Sequence, residues 1–222
     1  MSPTIPVEPV IRALFNQNLE AKQFTASMGV INNVTILAIV LVGAAVMRER
    51  EHGTIEHLLV MPVRSSEIAA AKIWANGLII LLAAAFSLHV VVQVVLGIPI
   101  LGSVELFLAG AAVYLFAVAS LSILLATIVN SMPQFALLSI PVFVIMFLLS
   151  GSFTPFESMP VFLQDIMYIL PSTHFVRFAQ SVLYRGAGID VVWPDLAIMG
   201  ALGGAFLAAA LSRFRAMLAR QA

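Results

Sequence analysis

Residues 28–64 read MGVINNVTILAIVLVGAAVM, then RERE, then HGTIEHLLVMPVR, and the fold is decided at the junction between the first two blocks. Met28–Met47 is apolar almost throughout and as long as the roughly 20 helical residues that cross a bilayer core of about 30 Å. Arg48-Glu49-Arg50-Glu51 ends the run with four successive charges, which belong in water or among headgroups. A span followed by a charged, structured loop is therefore the unit from which the rest of the chain is read.

Composition extends that unit to the whole chain. Hydrophobic residues make up 61% of the 222 residues and charged residues 10%, against about 45–50% and about 25% in soluble domains. A soluble surface cannot be built from so few charges, so the fold class is an all-α integral membrane protein. Five spans are predicted, at 28–47, 73–96, 106–129, 135–149 and 191–211, with Pro141 expected to interrupt the fourth. The 11 basic and 11 acidic side chains balance, so no basic field for nucleic acid exists. Cysteine is absent, which removes disulfides, thiol nucleophiles and thiolate metal sites. Residues 1–27, with Pro3, Pro6 and Pro9, lack the basic and apolar blocks of a signal peptide and are expected to form an extracytoplasmic N-terminal remnant.

Between the fourth and fifth runs the pattern changes. Gly151-Ser152-Phe153-Thr154-Pro155 breaks the helix, and Pro160 and Pro171 punctuate two short amphipathic pieces, 161–170 and 173–184. Neither can span, and irregular backbone at membrane depth must be satisfied by protein or enclosed water. A re-entrant or interfacial helical hairpin over 150–185 is predicted, rimmed by Tyr168, Tyr184 and Trp193. Basic residues near the span ends set the orientation. Arg48, Arg50, Arg64, Lys72, Arg213, Arg215 and Arg220 fall on one side; Arg12, Lys22, Arg177 and Arg185 fall on the other. The richer side is expected to be the cytoplasm, placing the loop 48–67 and the C-terminus inside and the hairpin outside.

The loop itself has helix punctuation. Gly53 permits a break, Thr54 can cap a new helix with Glu56 in its first turn, and Pro62 ends it. Ile55, Leu58 and Leu59 share one face at i, i+3 and i+4. Ser65 or Ser66 then starts the next helix, with Glu67 near its N-terminus. On these residues alone an ordinary loop helix lying on the membrane and a docking element for a partner fit equally well.

The same stretch resembles the signature of ABC-2 type transporter permeases, which runs Arg-Glu-x-Glu-x-Gly-Thr-x-Glu-x-Leu, then Pro, then Glu and Lys. Arg48, Glu49, Glu51, Gly53, Thr54, Glu56, Leu58, Pro62, Glu67 and Lys72 occupy those places. The proline-punctuated segment Gly151–Tyr184, the four spans after the motif and the basic tail are similar to the family's plan, so the resemblance covers roughly residues 15–218. By that resemblance the chain corresponds to a permease without its first span and most of its extracytoplasmic domain, residues 28–222 forming the transmembrane domain. The resemblance implies a half-transporter that pairs with a second permease half and with cytoplasmic ABC ATPase subunits. It assigns Thr54–Met61 the role of a coupling helix, with Arg48, Glu49, Glu51, Gly53, Thr54, Glu56, Leu58, Leu59, Pro62, Glu67 and Lys72 at the ATPase interface. Gly151, Pro155, Pro160 and Pro171 become the re-entrant gate. Drug, lipid, polysaccharide and lantibiotic export all fit. No phosphate-binding Gly-x-x-x-x-Gly-Lys-Ser/Thr loop is present, so hydrolysis is expected in a separate subunit, and no cofactor is expected here.

Other constellations are weaker. Asn32, His89 and Gln93 are candidate pathway residues, since polar side chains in spans turn toward the bundle interior; helix–helix hydrogen bonding is the plainer account. Asn32 and Asn33, being adjacent, cannot both point inward. Gly110, Gly200, Gly203 and Gly204 could permit close helix approach. An intramembrane serine hydrolase using Ser150 or Ser152 with His174 or His89 lacks any spacing that pairs nucleophile with base. A scaffold that keeps only an ATPase dock is a further alternative. His52 and His57 are five apart and make no metal site, and no charged counter-ion is expected inside a span.

Overall fold

The computed structural model describes residues 21–51, 65–97, 100–152 and 159–218. Among the described residues seven α-helices follow in order: α1 (Ala21–Glu51), α2 (Ser65–Phe86), α3 (Val104–Ile128), α4 (Met132–Leu149), α5 (Val161–Tyr168), α6 (Pro171–Arg185) and α7 (Ile189–Leu218). Five segments among the described residues are long and apolar enough to cross a membrane: Met28–Glu49, Ala69–Val95, Val104–Ile128, Met132–Leu149 and Ile189–Arg213. They coincide with the five predicted runs. The predicted coupling helix lies outside the described residues, as does the N-terminal remnant up to residue 20.

Helix ends follow local chemistry. Ser103 caps α3 by accepting the Leu106 N–H at 3.2 Å, with Glu105 in the first turn. Pro171 opens α6, and Gly186, at φ +62°, closes it in the left-handed conformation that only glycine adopts without cost. Glu67 sits in the first turn of α2, beside its positive end.

Two features depart from expectation. Pro141 does not interrupt the fourth span; α4 runs unbroken through it. Its missing N–H leaves the carbonyl four residues back without an intrahelical donor, a defect that spanning helices tolerate. The second span is α-helical only to Phe86 and continues as a π-helix over Ser87–Val95, where Leu96 N–H reaches the Val91 carbonyl at 3.0 Å.

The core is organised around α3, 67% of whose spanning window is buried, against 17% for α4 and 22% for α2 and α7. Tyr114 of α3 stacks on Phe175 of α6 with ring centroids 4.1 Å apart, and its hydroxyl lies 2.6 Å from Thr35 Oγ1 of α1. Ser122 Oγ donates to the Ile39 carbonyl at 2.6 Å, so α3 is tied twice to α1 by polar contacts whose donors would otherwise face hydrocarbon. Glycine sets the spacing. A Cβ on Gly110 would stand 2.2 Å from the Phe178 ring, and one on Gly203 would stand 2.9 Å from Ala117 Cα. Gly204 has nothing within 4 Å and Gly200 only Val113 Cγ1 at 4.0 Å. Of the four predicted small-residue positions, Gly110 and Gly203 carry the close approach.

The short helices divide the work of the segment after α4. α6 buries eleven of its fifteen residues, Phe175, Phe178, Ala179 and Val182 completely. It is a core helix of the bundle, packed against α3 and α7. α5 instead exposes Val161, Phe162 and Ile166. Tyr168 and Trp193 are exposed at the rim and Tyr184 is half-buried.

Candidate functional site

Two polar joints hold the bundle, one at each end. The first lies where the charged run leaves α1. Lys72 Nζ of α2 pairs with Glu49 Oε1 of α1. Lys72 is largely buried and Glu49 about a third exposed, so the pair is screened less than a surface contact and more than a core one. Two residues on, Glu51 Oε1 accepts the backbone N–H of Met132, the first residue of α4, at 2.6 Å. The ends of α1, α2 and α4 thus meet at the two carboxylates of the charged run. Arg48 is exposed in the last turn of α1 and Glu67 is exposed in the first turn of α2. Of the remaining predicted set, Gly53, Thr54, Glu56, Leu58, Leu59 and Pro62 lie outside the described residues, as do His52, His57 and Pro155.

The second joint was not anticipated. Asp195 lies inside the last span, directly after Pro194, with its side chain 10% exposed. It accepts from Arg177 Nε at 2.9 Å and also from Arg177 Nη2. The hydrogen bonds to Asp195 raise the Arg177 guanidinium above its ordinary pKa, so it is charged at every working pH. His174 is fully buried beside them. Its Nε2 donates to the Tyr168 carbonyl at 2.9 Å, which leaves Nδ1 to accept from Arg177 Nη2 at 3.3 Å. Nδ1 also stands 3.4 Å from Asp195 Oδ1. The expectation of no charged group within a span is therefore corrected: Asp195 is there because Arg177 neutralises and hydrogen-bonds it, with His174 packed alongside. A carboxylate within an apolar run is the signal that points to such a partner.

Other predicted residues fall apart or pair differently. His89 Nδ1 and Gln93 Oε1 are 2.7 Å apart on the π-helix; the amide oxygen only accepts, so Nδ1 carries the proton. Asn32 is half-buried, Asn33 exposed and Thr35 buried on α1. Gly151 adopts φ +94°, Pro160 precedes α5 as its N-cap and Pro171 is buried at the start of α6. Ser150 Oγ lies 3.1 Å from Ser152 Oγ, and Ser152 donates to the Phe147 carbonyl at 2.9 Å. His174 is committed to the second joint and His89 to Gln93, so neither histidine serves either serine as a base, and no hydrolase constellation is assembled among the described residues. An apolar groove of about 400 Å³ runs between α2, α3 and α7, lined by Trp74, Gly77, Val113, Phe116 and Gly200.

A five-span bundle with a charged joint at one end and a neutralised ion pair at the other defines a polytopic membrane protein. The chain belongs to the ABC-2 family transporter proteins, whose family model matches residues 2–212. It is 52% identical over 212 residues to the inner membrane transport permease YhhJ of Escherichia coli (strain K12), covering 94% of this chain and 57% of that protein. It is 31% identical over 193 residues to the probable multidrug ABC transporter permease YbhR of the same strain, covering 85% of this chain and 51% of that protein. YbhS, also a probable multidrug ABC transporter permease, is 27% identical over 184 residues. The chain spans about half the length of these relatives.

Proposed function

We propose that this chain serves as permease in an ABC-2 type exporter of the inner (cytoplasmic) membrane. In this reading it couples ATP hydrolysis in separate cytoplasmic subunits to outward movement of a hydrophobic, amphipathic or glycan solute. The observation that carries the reading is the placement of the charged run: Glu49 and Glu51 join the ends of three spans directly beside the signature loop. A force applied to that loop would reach α1, α2 and α4 together. Rocking between two bundle arrangements then requires only that the docked ATPase favour one of them.

Family membership supports the ATPase partner, and the surface supports a second permease half. Asn33 is exposed six residues into the first span, and an amide facing lipid would be costly. A partner half, or a cavity shared with one, satisfies it. The apolar groove between α2, α3 and α7 suits a lipid chain or an apolar solute. In this reading the loop and the C-terminus are cytoplasmic, which the excess of Lys and Arg on the loop side supports.

The coupling role has a direct test. In everted membrane vesicles containing the chain and its ATPase subunits, Gly53→Pro and Glu56→Lys are each expected to abolish ATP-driven uptake of fluorescent amphipathic dyes while ATP hydrolysis and membrane insertion persist. Uptake at the unsubstituted rate would sink the assignment of 54–61 as a coupling helix.

A further inference from the structure

α4 lies against α1 along one narrow face, where Phe135, Ser139 and Met146 are buried, and leaves most of its surface open. Only 17% of its window is buried, and Leu137, Ile140, Val144, Ile145 and Leu148 are exposed along it. At its first turn, Phe135 packs against Gly43 of α1 so closely that a Cβ on Gly43 would lie 1.9 Å from the ring. At its last turn Met146 is buried, and the Ser150–Ser152 break, also buried, meets Val176 of α6 at Gly151. An 18-residue helix bridges these anchors, a length of about 27 Å at about 1.5 Å per residue.

The cytoplasmic anchor includes an unusual cap. Ser131 stands at the N-cap of α4 but makes no side-chain cap hydrogen bond, and Pro133 brings no N–H. The Met132 N–H is met instead by Glu51, 81 residues away on another helix. Glu51 ends α1, where the helix's own carbonyl dipoles disfavour an anion; the positive end of α4 offsets that cost. The carboxylate is thus better placed for α4 than for the helix that carries it.

We propose that Glu51 is a positioning residue that pins α4 to α1, and that α4 acts as a strut carrying displacement of the cytoplasmic joint to the Ser150–Ser152 break and α6. The proposal rests on the transporter reading, and it gives Glu51 an intramolecular role in place of contact with the ATPase. It is tested on the full chain co-expressed with its ATPase subunits, comparing Glu51→Ala with Glu51→Gln, which keeps an oxygen acceptor. Amide exchange at Met132 should rise about threefold to tenfold in the alanine variant and stay near the original rate in the glutamine variant. With a reporter Phe162→Cys on α5, the change in maleimide labelling between nucleotide-free and vanadate-trapped complexes should vanish with alanine and survive with glutamine. ATPase co-purification should be unchanged in both. Unaltered exchange and labelling in Glu51→Ala, or loss of the ATPase from either variant, would overturn the proposal. A reporter chain with Glu51 intact that ignored nucleotide would defeat the transporter reading instead, while the exchange difference would still decide the pin.

Discussion

Arg177→Ala is expected to destabilise the bundle by about 3 kcal/mol, read as a lower midpoint in detergent–SDS unfolding. Breaking a buried pair costs about 3–5 kcal/mol because a charge is left without its partner, and the half-exposed Arg177 puts this case at the low end. The charge that remains is the one that cannot escape. Asp195 is 10% exposed and rooted in α7, and after the substitution it keeps only His174 beside it. The converse change leaves a guanidinium that can turn to water, so Asp195→Asn is expected to cost about half as much. A larger loss for Asp195→Asn than for Arg177→Ala would mean that the joint is not organised around the carboxylate. Because Arg177 lies on α6 and Asp195 on α7, the same substitution should loosen the attachment of the buried helix that Tyr114 and Phe175 seat in the core.

Gly203→Val should be comparably severe and Gly204→Val close to neutral, although the two positions are adjacent and identical in sequence. The Cβ at 203 meets two Phe116 ring carbons at 2.7 Å and the backbone of Ala117 at 2.9 Å, while the Cβ at 204 enters open space. A ring can swing aside, but the α3 backbone can move only by separating α3 from α7, which form the most extensive helix pair. Overpacking of this kind costs about 1–3 kcal/mol, more when backbone must shift. Expression level and thermal midpoint of the two variants decide the matter; equal behaviour would refute the close α3–α7 approach.

The spans were legible because length and apolarity alone determine them: Met28–Met47 and Val104–Ile128 need no tertiary information. The prolines were misleading where the environment mattered. Pro141 and Pro171 are the same residue type, yet one sits inside a continuous helix and the other opens a new one. The difference is context, since Pro171 follows an eight-residue helix ended by a turn and Pro141 stands within a long apolar run. Asp195 was hidden by averaging over an apolar window, and its partner Arg177 lies 18 residues earlier on another helix. The capping of α4 by Glu51 is a contact across 81 residues that no local pattern encodes. What could be read was Glu49 and Lys72 as members of one motif, although their mutual pairing emerges only from the fold.

The central claim is that events at the charged joint of α1, α2 and α4 are felt at the far end of the bundle. The chain contains no cysteine, so Phe162→Cys, on the exposed face of α5, gives a single reporter on the side opposite the charged loop. The decisive measurement is its labelling rate by a membrane-impermeant maleimide added outside proteoliposomes that contain the chain with its ATPase subunits. Trapping with ATP and vanadate inside is predicted to change that rate severalfold relative to the nucleotide-free complex. The same rate in both states, with ATP demonstrably hydrolysed, would contradict the account.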